Sequence, residues 1–192
     1  MVLTAAEYDA SYFDGDTQAL SHNAGYSYFT RWQRFDGPNS TGEYWKDLAS
    51  LFTERFSLRG RTVLEVGCAK GFIVQDMRDL GVNAFGIDVS SYAVSCADPS
   101  VRAFIQCGNI LDIDYEENQF DSLFSTDFFE CVTDETAQML INKFNHMART
   151  QFHLIGTHTN PRFYNVHSLE EWITLEWKPG TVLFGNGREV IK

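Results

Sequence analysis

An apolar run that ends in a glycine-rich turn constrains this chain more than any other part of its sequence. Residues 63–66 are Val, Leu, Glu and Val, glycines follow at Gly67 and Gly71, and apolar residues then recur with helical spacing to Leu80. This order predicts a strand, a tight turn and a helix. Because glycine has no Cβ, the backbone of such a turn can approach a ligand closely, beside the N–H groups that open the helix.

Strands and helices alternate through the rest of the chain. After the first strand the apolar pattern predicts four more, at residues 84–87, 101–105, 122–125 and 152–156. A regular helical period covers residues 137–147, and Asn186-Gly187 predicts a hairpin between the last two strands, 181–184 and 189–191. We therefore predict an α/β fold, with a Rossmann-like, doubly wound, mostly parallel seven-stranded sheet and an antiparallel C-terminal hairpin strand.

The chain of 192 residues has the size of one domain, within which two parts differ in composition. Residues 58–192 form the predicted core. Residues 1–57 are rich in aromatic residues without strand alternation, and they predict an irregular cap over that core. Ser40 and Glu43 have the spacing of a capping box, so we expect the cap to end in a helix that leads into the core.

The charge of the chain argues against a nucleic-acid partner. It has 26 acidic and 15 basic residues, whereas phosphate backbones require clustered Lys and Arg. No apolar stretch approaches the length of a membrane span, and the N-terminus lacks the pattern of a secretory signal, so we expect a cytoplasmic protein without membrane contact. The four cysteines show no zinc-site spacing and predict neither a metal site nor disulfides.

Asp88 ends the second predicted strand about 20 residues beyond the turn, where a carboxylate can accept hydrogen bonds from ribose hydroxyls. Together with the turn it predicts a site for an adenosine-type ligand. The alternative is that the glycines only shape the turn and that Asp88 only caps a helix. NAD is disfavoured, because the positions of its G-x-G-x-x-G fingerprint hold Gly67, Ala69 and Phe72, and no phosphate-binding Gly-Lys-Ser/Thr sequence follows.

These motifs resemble those of the class I S-adenosylmethionine-dependent methyltransferases. The first motif of that family has an acidic residue followed by glycines at alternate positions, and residues 65–71 match it with Ala69 in place of the central glycine. The resemblance continues along most of the core, in residues 86–90, 108–111 and 120–130. Residues 66–72 look especially like those of small methyltransferases of sugar and polysaccharide biosynthesis.

The resemblance implies that the cofactor is S-adenosylmethionine, with S-adenosylhomocysteine as the product. In that family Asp88 would hold the ribose, and Asn109 would replace the usual Asp that contacts the adenine amine. The residues implied to bind the cofactor are Glu65, Gly67, Cys68, Ala69, Gly71, Asp88, Val89, Asn109, Ile110, Thr126 and Tyr26. Tyr26 belongs to the aromatic cap, which would act as a lid over the cofactor or would simply pack on the sheet.

The resemblance also implies a small-molecule methyl acceptor, such as a sugar or another hydroxyl or carboxylate metabolite; the oligomeric state is left open. An acceptor hydroxyl must lose a proton, and the candidate bases at strand ends are Asp127, Glu130, His158 and His167. Each of these side chains has a structural alternative, as a loop histidine or as a carboxylate at the start of a helix. A non-catalytic protein that binds S-adenosylmethionine as a regulatory or partner subunit is the competing function.

Overall fold

The computed structural model of the protein describes residues 6–14, 44–156, 165, 167–185 and 187–192. Within this part of the chain, seven strands form one sheet in the order β3-β2-β1-β4-β5-β6-β7. The strands are β1 Thr62–Val66, β2 Asn83–Asp88, β3 Ile105–Cys107, β4 Phe120–Thr126, β5 Ala148–Leu154, β6 Val182–Gly185 and β7 Arg188–Ile191. All neighbours pair in parallel except β6 and β7, which are antiparallel. The predicted fold class, including the C-terminal hairpin, is confirmed.

Helices cover both faces of the sheet, as a parallel sheet requires. The described helices are α1 Ala10–Asp14, α2 Tyr44–Arg55, α3 Phe72–Asp79, α4 Ser91–Ser95, α5 Asp134–Met147 and α6 Leu169–Trp172. On one face, α2 and α3 bury an apolar cluster that contains Phe52 and the strand residues Phe124 and Phe152. On the other face, α5 and α6 bury a second cluster that contains Phe144 and Trp172. None of these helices is long and apolar enough to cross a membrane.

Two strands begin at other residues than the apolar pattern predicts: β3 begins later and β5 begins earlier. Residues 102–104 form a 3-10 helix, and β3 begins only at Ile105, where the predicted third strand ends. The cause is local, because the backbone oxygen and the carboxylate of Asp98 accept N–H groups of the next residues and hold them in a turn. The fifth strand begins at Ala148, directly after α5, rather than at Phe152.

The predicted irregular cap lies mostly outside the described residues, as do both members of its capping box, Ser40 and Glu43. In its described part, α2 is the predicted helix that leads into the core, whereas the helix Ala10–Asp14 departs from the prediction. Asp9 starts this helix: its carboxylate accepts hydrogen bonds from the backbone N–H groups of Ser11 and Tyr12 at 2.8 and 3.2 Å. A side chain that satisfies free N–H groups in this way is the usual start of a helix.

Gly86 in β2 allows the glycine-rich turn and α3 to pack on the sheet. A Cβ at this position would lie 2.6 Å from the Sγ atom of Cys68 and 3.1 Å from Cγ2 of Val74. Both neighbours are buried, so neither can move away without disturbing the core. The absence of a side chain at Gly86 therefore sets the distance between β2 and the turn that follows β1.

We expect the substitution Gly86→Ala to lower the free energy of unfolding by about 1–3 kcal/mol, because it overpacks a dense core. Gly108→Ala is the matched control, since its Cβ would lie 3.6 Å from Ile113, an ordinary contact distance. Urea unfolding of both variants measures the difference. Equal losses of stability would show that the space beside Gly86 does not limit this packing.

Candidate active site

A cavity of about 520 Å³ opens at the carboxyl ends of β1, β2 and β4. This is the edge at which parallel α/β sheets bind ligands. Seven of the residues assigned to the site from the sequence line it, namely Gly67, Ala69, Asp88, Val89, Asn109, Ile110 and Asp127. The remaining described candidates, Glu65, Cys68, Gly71, Thr126 and Glu130, are not among its lining residues. Tyr26 and His158 lie outside the described residues.

The turn after β1 depends on three residues with left-handed backbone conformations. Gly67 has φ 76°, Ala69 has φ 49° and Gly71 has φ 73°. A Cβ on Gly67 would lie 2.7 Å from the ring of Phe128, and one on Gly71 would overlap the side chain of Ile105. The two glycines are thus required both by conformation and by space, whereas Ala69 adopts the same conformation with a side chain.

Asp88 joins this turn to the turn after β2. One carboxylate oxygen accepts the backbone N–H of Ala69 and the other accepts that of Ser90, both at 2.8 Å. Burial raises the pKa of Asp88, and these two N–H groups oppose that effect. Each carboxylate oxygen has a second lone pair. Asp88 can therefore hold the turn and still accept hydroxyl donors from a ligand in the cavity.

Glu65 and Thr126 lie behind the turn rather than in the cavity. Burial, followed by the nearby carboxylate of Asp88, raises the pKa of Glu65 to about 8, although the Thr126 hydroxyl and the backbone N–H of Val74 lower it. Glu65 therefore keeps its proton at neutral pH. A neutral acid here can donate a hydrogen bond without adding charge to the core.

Asn109 lies at the cavity wall and starts a 3-10 helix, Ile110–Asp112. Its carboxamide oxygen accepts the backbone N–H of Leu111 at 3.0 Å. An amide has a second acceptor lone pair and two N–H donors. The side chain can therefore support the loop after β3 and still bind a polar ligand edge.

Asp127 and Glu130 form a carboxyl pair at the end of β4. Asp127 lines the cavity and has φ 49°, while Glu130 is fully buried and accepts the backbone N–H of Gly156 at 2.9 Å. Burial, followed by the charge of Asp127, raises the pKa of Glu130 well above its ordinary value, and the second carboxyl oxygen of Glu130 is buried without a hydrogen-bond partner among the described residues. Burial and Asp127 also raise the pKa of Tyr44, on α2, to about 12.

The sequence predicted an aromatic lid, but the site residues assigned from it do not include those that form the aromatic wall of the cavity. Tyr8, Tyr12 and Phe13 line it from the N-terminal segment, and Phe128 lines it from the segment after β4. The rings of Tyr8 and Tyr12 meet edge to face at a centroid distance of 4.8 Å. Their spacing of four residues is the one signal in the sequence that predicts a shared helical face.

The chemistry of the cavity fits a ligand that carries a positive charge beside an adenosine. Its lining includes the carboxyl groups of Asp88, Asp112 and Asp127, and no lysine or arginine among the described residues lines it. Carboxylates and aromatic faces both attract cations, and S-adenosylmethionine carries a sulfonium cation. The residues present therefore fit that cofactor.

Comparison with known proteins agrees with this geometry. Residues 64–150 match a family model described as "Methyltransferase domain". Over these residues the chain is similar to that family. Two ubiquinone biosynthesis O-methyltransferases, from Paraburkholderia xenovorans and Paraburkholderia phytofirmans, are each 36% identical to it over 66 residues. Those residues make up 34% of this chain and 26% of either relative, so the match spans about a quarter of the relatives' length.

Solved structures resemble the methyltransferase domain more distantly. A putative S-adenosylmethionine-dependent methyltransferase from Methanococcus maripaludis is 15% identical with a TM-score of 0.49, over 75% of this chain and 57% of the other. An S-adenosylmethionine-dependent methyltransferase from Archaeoglobus fulgidus is 16% identical with a TM-score of 0.46, over 54% and 48%. Over residues 64–150 the family match agrees with the predicted methyltransferase core and with S-adenosylmethionine as its cofactor. The roles of single residues stay predictions.

We expect Asp88→Asn to weaken binding of S-adenosylhomocysteine and also to lower the melting temperature. In the variant, an N–H donor replaces one of the two carboxylate oxygens and faces a backbone N–H, so one hydrogen bond is lost. A hydrogen bond to a charged group contributes about 1.5–3 kcal/mol. Calorimetric titration and thermal unfolding measure the two effects. Asp112→Asn is the control, because Asp112 also lines the cavity, whereas the N–H groups of the two turns bind Asp88. Unchanged affinity in Asp88→Asn would limit Asp88 to a structural role.

Proposed function

We propose that the protein is an S-adenosylmethionine-dependent methyltransferase that acts on a hydroxyl group of a small molecule. One observation carries this proposal: the cavity beside the Gly67 turn and Asp88 also exposes a carboxyl group, Asp127, at the end of the adjacent strand β4. A cofactor held at the turn and an acceptor beside Asp127 would share one enclosed space. Holding two reactants in one orientation supplies most of the acceleration that methyl transfer needs.

The bound cofactor supplies an activated methyl group, and S-adenosylhomocysteine is the product after transfer. The chain's own residues bind the cofactor, orient the acceptor and accept the proton of the acceptor hydroxyl. Asp88 and the turn hold the nucleoside, while the rings of Tyr12 and Phe128 at the cavity wall exclude water. Asp127 would accept the proton that the acceptor hydroxyl loses when it takes the methyl group, whose bond to the sulfur of the cofactor breaks in the transfer.

Glu130 prepares Asp127 for this role. Because burial keeps Glu130 protonated, its O–H can donate a hydrogen bond to Asp127, while its other oxygen accepts the N–H of Gly156. The proton of the pair then lies on the buried member, and Asp127 faces the cavity as the ionised member. Two neighbouring carboxyl groups share a proton in this way because both cannot be ionised at such close range.

The charges of the cavity favour a neutral acceptor oxygen over a carboxylate. Asp112 and Asp127 would repel an anionic acceptor, whereas a hydroxyl can donate a hydrogen bond to either side chain. The two similar proteins from Paraburkholderia are O-methyltransferases by name, which supports an oxygen acceptor. We therefore place hydroxyl compounds, among them phenols and sugars, before carboxylates as acceptors.

The test measures binding first and turnover second. We expect S-adenosylhomocysteine to bind to the folded protein and to raise its melting temperature, because a ligand selective for the native state stabilises it. Formation of S-adenosylhomocysteine from S-adenosylmethionine is then followed with phenols, sugars and carboxylates. Failure of both ligands to bind would contradict the proposal. Binding without turnover on any acceptor would favour the non-catalytic alternative.

With a hydroxyl acceptor, we expect Asp127→Asn to lower kcat by about 10²–10⁴-fold, which is the usual contribution of a positioned general base. Affinity for S-adenosylhomocysteine should change little. Asparagine tolerates the left-handed backbone conformation of this position, so the fold is preserved. Glu130→Gln is the matched control, since its amide keeps a donor toward Asp127 and an acceptor for Gly156. Equal activity of Asp127→Asn and the wild type would exclude Asp127 as the base.

Glu130→Gln should also change how stability depends on pH. The ordinary carboxyl pKa of 4.5 applies in the unfolded chain, whereas burial raises the pKa of Glu130 in the folded protein. The unfolded state therefore releases this proton first, and wild-type stability falls as the pH rises above 4.5, by up to about 1.4 kcal/mol per unit. Glu130→Gln lacks this loss. Urea unfolding between pH 4.5 and pH 8 measures it, and parallel curves would contradict a protonated Glu130.

A further inference from the structure

Lys70 occupies the glycine-rich turn, yet its ammonium group is directed toward the N-terminal segment. The side chain is only 2% exposed, and its Nζ atom lies 2.6 Å from a carboxylate oxygen of Asp14, which is 56 positions away. Burial of an ammonium group is costly unless an opposite charge and hydrogen bonds compensate for it. The buried position of Lys70 therefore depends on Asp14 being in place.

Asp14 ends α1 and binds two elements at once. Its second carboxylate oxygen accepts a hydrogen bond from the Tyr92 hydroxyl, on α4, at 2.6 Å. Although burial opposes it, hydrogen bonding to Lys70 and then to Tyr92 lowers the pKa of Asp14. The carboxylate thus connects the turn after β1 to the helix after β2, with α1 above both.

Two further contacts hold α1 at the same place. The Ser90 hydroxyl donates a hydrogen bond to the backbone oxygen of Tyr8, and the ring of Phe13 is buried in a small cluster with Ala69 and Ala93. Phe13 is 3% exposed. The N-terminal segment is therefore docked on the two turns that carry the predicted cofactor residues.

This docked segment forms part of the cavity itself. Tyr8, Tyr12 and Phe13 line the cavity together with Ala69 and Asp88. If Asp14 lost its charge, the ion pair that joins α1 to the turn after β1 would be lost. That loss loosens α1 from the turn and with it one wall of the cavity.

We propose that Lys70 and Asp14 are positioning residues, whose ion pair holds α1 as the aromatic wall of the cofactor cavity. This inference rests on the proposed function, since the cavity must bind the cofactor. Lys70 lies in the turn that binds the cofactor, but its charge is committed to Asp14 and not to the ligand. The affinity for the cofactor then depends on a contact that does not include it.

The test is a set of single and double variants titrated with S-adenosylhomocysteine. We expect Asp14→Asn and Lys70→Met each to weaken binding about tenfold. This is the loss of affinity expected if the fraction of molecules with α1 docked on the turn falls to about one tenth. The double variant Asp14→Asn/Lys70→Met should be weakened by less than the product of the two, because both substitutions remove the same ion pair. Asp14→Glu retains the charge and should retain most of the affinity.

The matched control is the ion pair between Arg59 and Glu54, which has the same 2.6 Å distance but lies on exposed side chains. Glu54→Gln should leave the affinity unchanged. Hydrogen exchange separates positioning from a general loss of stability. In Asp14→Asn the amides of Tyr12 and Phe13, which bond to Asp9, should exchange faster, and saturating ligand should slow them again.

Unchanged or tighter binding in Asp14→Asn would overturn the inference. Tighter binding would be expected if Lys70 paired with the carboxylate of the cofactor. If the wild type binds and the variants bind equally well, only the role of the ion pair is lost. If the wild type itself fails to bind S-adenosylhomocysteine, the proposed function is overturned, and this inference falls with it.

Discussion

The site depends on one buried carboxylate that receives backbone N–H groups from two turns. Asp88 binds the N–H of Ala69 after β1 and that of Ser90 after β2, so two loops that are free to move in the unfolded chain share one acceptor. Burial makes such an acceptor expensive unless it is bonded, and the cost of leaving it unbonded fixes the two turns together. The cavity lies where they meet, and the N-terminal segment docks on the same pair of turns.

The carboxyl groups around this edge of the sheet are kept compatible by differences in protonation. Glu65 and Glu130 are buried and keep their protons, whereas Asp88 is surrounded by N–H donors. If all three were ionised, repulsion in a low-dielectric core would oppose folding. The division leaves negative charge at the cavity surface and neutral acids behind it. A cationic sulfonium is therefore attracted by the same arrangement that makes the core stable.

The sequence was informative where a contact is local and uninformative where it joins distant segments. The β1 turn, the helix over residues 137–147 and the hairpin at Gly187 follow from glycine positions and apolar period, and the structure contains each. The boundary of β3 was missed because Asp98 forms a turn that apolar spacing does not reveal. The ion pair between Lys70 and Asp14 has no signal at all, because neither residue type indicates a partner so far along the chain.

The departure of Ala69 from the family's central glycine has a physical reason in this docking. A left-handed conformation costs a residue with a Cβ about 1–2 kcal/mol, and a buried CH₂ group contributes about 0.8 kcal/mol. The methyl group of Ala69 is buried against Phe13, so much of the strain is offset by packing that a glycine could not provide. Neighbouring positions of the turn divide the remaining tasks. Gly67 leaves room for Phe128, and Lys70 binds Asp14, so one short turn both shapes the cavity and attaches its wall.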